Sequence, residues 1–81
     1  MKRYKITSDK CCSKEYEFND IDEAIAHIIN YALVFVDFNL FGSKEVYVDE
    51  LIDDDYYFAA IVDPINKDVT YQSIWQNLRK D

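Results

Sequence analysis

Lys2 to Thr7 alternates, with Tyr4 and Ile6 on one face of an extended chain and Arg3, Lys5 and Thr7 on the other. Ser13 to Phe18 alternates again, Tyr16 and Phe18 inward against Glu15 and Glu17 outward. A period of two on both sides of a polar link predicts a β-hairpin. Its solvent face sets Arg3 and Lys5 against Glu15 and Glu17, pairs worth a few tenths of a kcal/mol each. The period then changes. Asp20-Ile-Asp-Glu23 has the form of a capping box, with Asp20 as N-cap and Glu23 reaching back. Ile21, Ala24, Ile25, Ile28, Ile29, Ala32 and Leu33 follow as a helical stripe. Val36 and Leu40 extend that stripe, which predicts a helix from Asp20 to about Phe38–Phe41 with Gly42 at or just past its end. The β-favouring run Val34-Phe35-Val36 leaves an earlier end near Leu33 as the alternative.

Glu45 to Leu51 returns to alternation, with Val46 and Val48 opposite Tyr47 and Asp49. Asp53-Asp54-Asp55 reads as a turn, and Tyr56 to Val62, closed by Asp63-Pro64, as the second arm of another hairpin. Thr70 is the expected N-cap of a last helix, in which Tyr71, Ile74, Trp75 and Leu78 form a stripe and Arg79 and Lys80 complement the carbonyl end. The expected class is therefore α+β, in the order ββαββα: a four-stranded antiparallel sheet with two helices on one face. The other face would expose alternate residues of each strand, including Tyr47 or Tyr57 and part of the carboxylate set.

Length and composition fit one small domain over residues 1–81, with 49% hydrophobic and 16% aromatic residues, too apolar for a disordered acidic tail. Charge is unevenly placed. Residues 1–19 hold five basic and three acidic side chains, residues 20–78 hold two against twelve, Arg79-Lys80-Asp81 adds one positive charge, and the net is −7. Such a balance argues against direct contact with nucleic acid or anionic lipid, which call for a basic footprint. The start of the chain lacks the apolar region of a signal peptide, and Ile28 to Leu40 is too short and too polar to span a bilayer. Two adjacent cysteines, Cys11 and Cys12, do not make a secreted disulfide framework. A cytoplasmic protein is expected.

Candidate chemistry is sparse. Asp37, Asn39 and Gly42 match the first, third and sixth positions of a calcium loop, but Phe41 and Val48 stand where further oxygen ligands are needed. His27, the only histidine, falls one turn after Glu23 and reads as a helix-surface residue without a nucleophile to serve. Lysines beside Cys11 and Cys12 favour thiolate, yet exposed thiols without a role are the simpler reading. Tyr4, Tyr16, Phe18, Phe58 and Trp75 are core by spacing. No catalytic set, cofactor or metal is implied, and an enzyme is not expected.

Of the acidic residues, Asp20, Asp22 and Glu23 suit a helix start, and Asp63 and Asp68 suit turns around Pro64. Asp49, Glu50, Asp53, Asp54 and Asp55 remain, with Tyr56 and Tyr57 beside them as aromatic anchors. This is the expected partner-binding set, and a basic protein is the expected partner. In size, charge and lack of a catalytic set the chain resembles the small acidic inhibitors made by phages and mobile elements, such as anti-CRISPR and antirestriction proteins. That resemblance is one of composition over the whole chain, with no motif, and assigns no residues. It implies a non-enzymatic inhibitor whose carboxylates stand in for phosphates in the basic groove of a nucleic-acid-binding effector, such as a CRISPR or restriction nuclease. The alternatives are an immunity protein or antitoxin that neutralises a basic toxin, and a homodimeric accessory module.

Overall fold

A computed structural model describes residues 1–10, 12–37 and 44–78. Eight elements follow one another: β1 (Lys2–Thr7), β2 (Lys14–Phe18), α1 (Ile21–Asn30), α2 (Ala32–Phe35), β3 (Val46–Ile52), β4 (Asp55–Asp63), β5 (Asp68–Tyr71) and α3 (Ser73–Leu78). The strands form one sheet in the order β2-β1-β3-β4-β5, with each neighbouring pair antiparallel. The α+β class holds. The described residues carry five strands and three helices, one strand and one helix more than the alternation predicts.

The extra strand is β5. Thr70 is not a helix cap: it pairs with Ile61, as Tyr71 pairs with Ala60. The last helix starts later, at Ser73, after the Gln72 amide has donated to the Ala59 carbonyl at 2.9 Å. The extra helix comes from a break in the first. Tyr31 leaves helical geometry at φ −118°, ψ 41°, α2 makes one further turn, and Val36 is already extended. Val34 and Phe35 thus stay helical, and the change to extended chain comes at β-branched Val36. The expected end at Phe38–Phe41, and Gly42 with it, lies outside the described residues.

The start of α1 is built as its sequence suggests. The Asp20 carboxylate accepts the Glu23 amide at 3.0 Å, and the Glu23 carboxylate reaches back to the Asn19 amide at 3.3 Å, one residue beyond the N-cap. Such a cap contributes about 1 kcal/mol. β2 and β3 run in the same direction on either side of β1, so the chain between them crosses the sheet, and α1 is that crossover.

The core lies between the sheet and the helices. Tyr4 and Ile6 of β1, Val46 and Val48 of β3, and Ala60 and Val62 of β4 meet Ile21, Ala24, Ile25 and Ile28 of α1, with Phe35 and Trp75 closing the ends. Phe58, expected in this core, is 41% exposed on the opposite face. The cause is a bulge: Val48 pairs with Ala60 but Asp49 pairs with Phe58, leaving Ala59 as an extra residue. His27 is likewise misplaced by its sequence context. Its ring is half-buried, with centroids 4.9 to 5.9 Å from Tyr16, Phe18, Tyr31 and Phe35.

Candidate functional site

The hairpin of β3 and β4 ends in a two-residue turn, because Ile52 pairs with Asp55 and only Asp53 and Asp54 lie between. Both have positive φ, 50° and 72°. This is the mirror-image turn whose twist matches a hairpin, normally made by Asn-Gly. Aspartate tolerates the left-handed region better than most residues, so the turn forms, at a cost glycine would avoid. All three of Asp53, Asp54 and Asp55 are exposed, and none forms an ion pair with another described residue.

The remaining expected contact residues are divided between the two faces by strand alternation. Cross-strand partners share a face, so Tyr16, Tyr4, Glu50 and Tyr57 form one row on the helix side. Glu50 is 3% exposed there and is not part of the acidic surface. Its position follows from period two after Val46 and Val48. Glu15, Lys5, Asp49 and Phe58 form the corresponding row on the open face. Asp49 is half-buried, and that burial raises its carboxyl above the usual range, against the opposing pull of Lys5. The structure thus leaves Asp53, Asp54 and Asp55 together at the tip, with Asp49 behind them on the open face and Glu50 inside.

The open face is locally neutralised. Arg3 pairs with Glu17 at 3.4 Å, and Lys5 stands between Glu15 and Asp49 in the strand register. Tyr56 reaches across β3: its hydroxyl donates to Glu15 at 2.8 Å and its ring lies under Lys5. Loss of solvation, the hydrogen bond to Glu15 and that carboxylate's charge raise the Tyr56 phenol above its ordinary value. Tyr47 and Phe58, with ring centroids 5.9 Å apart, complete this face.

A groove of about 440 Å³ runs beside the tip, lined by Tyr56, Tyr57, Phe58, Gln72, Ser73 and Ile74. Tyr56, Tyr57 and Phe58 are consecutive in a strand and point to alternate faces. A hollow lined by all three therefore lies along the edge of the strand. Its origin is the shortness of β5, which pairs only with Ala60–Asp63, and the outer edge of Asp55–Phe58 has no strand partner among the described residues. Sequence reading missed this groove because it missed β5.

Other candidate chemistry stays dispersed. Among the described residues no group of three or more His, Cys, Asp or Glu side chains is placed to hold a metal ion. Most of the calcium-loop resemblance after Asp37 lies outside the described residues, as does Cys11, and Cys12 is exposed. No helix among the described residues is long and apolar enough to cross a membrane. The chain matches no protein family, no curated protein and no solved structure.

Proposed function

We propose that this protein is a non-enzymatic inhibitor that places the acidic tip of its β3–β4 hairpin in the basic groove of a nucleic-acid-binding effector. One observation carries the reading: the contrast between the tip and the open face. On the face, carboxylates are matched by Arg3 and Lys5. At the tip, three adjacent carboxylates project without a cation among the described residues, on a turn whose backbone favours glycine. Self-repulsion and left-handed backbone both oppose this choice of residues. A basic partner offsets the first of these costs, and the net charge of −7 steers association with it.

The test is capture from a lysate of the native host at low salt, followed by competition. A captured nucleic-acid-binding protein that is released both by salt and by duplex DNA supports the reading. Capture indifferent to both sinks it. Capture of a basic toxin that salt releases and DNA does not would assign the tip to an immunity protein or antitoxin instead.

A further inference from the structure

We infer that the groove beside the acidic tip receives an extended, basic segment of the partner, which pairs with the outer edge of Asp55–Phe58 as an added strand. The inference rests on the reading of a basic protein partner and names the part of it that is held. Three features support it. The groove is bounded by three consecutive residues of β4 on one side and by the start of α3 on the other, so it runs along the edge of β4 where a further strand would pair. β4 is nine residues long and β5 covers only its last four, so the free stretch leaves alternate amides and carbonyls directed outward. Asp53, Asp54 and Asp55 directly precede Tyr56 in the chain, beyond the end of the groove that lies away from α3, so a groove lined by aromatic, apolar and neutral polar side chains has carboxylates next to it.

These features define the occupant. Backbone hydrogen bonds to a strand edge supply affinity, and side chains on alternate sides supply specificity. The free edge is about 13 Å long at roughly 3.3 Å per residue, enough for a segment of about four residues. One side of such a segment meets Tyr57 and the helix face, the other meets Tyr56 and Phe58. Ile74, 72% exposed, flanks the channel and offers apolar contact. Alternating lysine or arginine with apolar residues satisfies both the tyrosine-lined walls and the aspartates next to them.

The probe is a capped peptide of alternating lysine and valine, titrated at millimolar concentration into the full chain while backbone amides are followed by NMR and hydrogen exchange. Binding with slowed exchange confined to Asp55–Phe58 is the expected result. A peptide of the same sequence with alternate backbone nitrogens methylated is expected to bind at least tenfold more weakly, and so is a glutamate-valine peptide. Ile74→Lys, at an exposed position, is expected to reduce binding of the lysine-valine peptide at least tenfold while leaving the amide spectrum of the sheet intact.

Absence of protection at Asp55–Phe58, equal binding of the methylated peptide, or equal binding of the acidic peptide overturns the inference. Salt- and DNA-sensitive capture that survives such a result leaves the inhibitor reading standing. Peptide binding in the groove, together with partner capture indifferent to salt and DNA, removes the inhibitor reading instead.

Discussion

The Lys5 ammonium lies 4.2 Å from the centroid of the Tyr56 ring, so that a residue of the first strand is seated on one from the far hairpin. Because the Tyr56 hydroxyl is also held by Glu15, a single ring ties β1, β2 and β4 together across β3. A double-mutant cycle of Lys5→Met and Tyr56→Leu in urea denaturation is expected to give a coupling of about 0.5–1 kcal/mol. Tyr56→Phe keeps the ring contact and removes only the hydrogen bond. It is expected to cost no more than about 1.5 kcal/mol. A coupling indistinguishable from zero would contradict the strap.

At the tip, Asp54→Gly replaces an aspartate at φ 72° with the residue that suits that backbone. We expect it to stabilise the domain by about 0.5–1 kcal/mol, the relief of left-handed strain less the added freedom of the unfolded chain. The same variant removes one exposed carboxylate and is expected to slow partner association. Stability and binding would move in opposite directions.

Asp53→Asn, Asp54→Asn and Asp55→Asn together are expected to leave the circular dichroism spectrum unchanged. Partner binding should weaken mainly through the on-rate, with a shallower salt dependence. Unchanged association kinetics at low salt would remove the tip from the contact.

Trp75 is 4% exposed and stacks on Tyr71 with ring centroids 5.7 Å apart, closing the core where α3 meets the sheet. Trp75→Ala is expected to cost about 3–5 kcal/mol. That is a large share of the stability of a small domain, and thermal melting should show a largely unfolded population at modest temperature. Ile74→Ala, one residue earlier but 72% exposed, should be close to neutral.

Two aspartates give opposite pH dependences. Partial burial works against the Asp63 charge, but the Asn66 amide and side chain and the Ile65 amide all donate to its carboxylate and hold it below the usual range. Its stabilising contribution is therefore complete above the unfolded value of about 3.9 and fades as pH falls through the lower folded value. Asp49 is raised by burial, so its charge costs stability at neutral pH, and the cost disappears below the unfolded value. Asp49→Asn is expected to stabilise at pH 7 and to lose that advantage in acid. Asp63→Ala is expected to destabilise at pH 7 by more than it does in acid. Denaturant midpoints measured across this range check both signs.

Much of the sheet was legible because β1, β2 and β3 keep strict alternation, and Arg3 and Lys5 do stand against Glu15 and Glu17, with the register pairing Arg3 with Glu17 and Lys5 with Glu15. β5 was not legible. Its four residues are too few for a periodic signal, and Tyr71 to Trp75 is also a helical spacing, so the chain read as one helix there. The end of α1 was obscured by a stripe that continues past Tyr31 although the backbone does not. At the candidate site, charge density drew Glu50 into the surface set, whereas its phase with Val46 and Val48 places it inside. His27 looked exposed because one helix cannot show the Tyr16 and Phe18 rings that another element brings against it.

Ala59 divides its strand into two lengths of different phase. From Ala60 onward the even-numbered residues face the core, while from Asp55 to Phe58 the odd-numbered ones do. Losing this one alanine would exchange the faces of Tyr56 and Phe58 with those of Asp55 and Tyr57, although no other residue changed. Conversely, the exposed side chains of Asp53, Asp54 and Asp55 take no part in the packing of the stem, so the turn constrains them only through its left-handed backbone. The tip can therefore change one side chain at a time, among residues that accept its backbone, without altering the interior that keeps the protein folded.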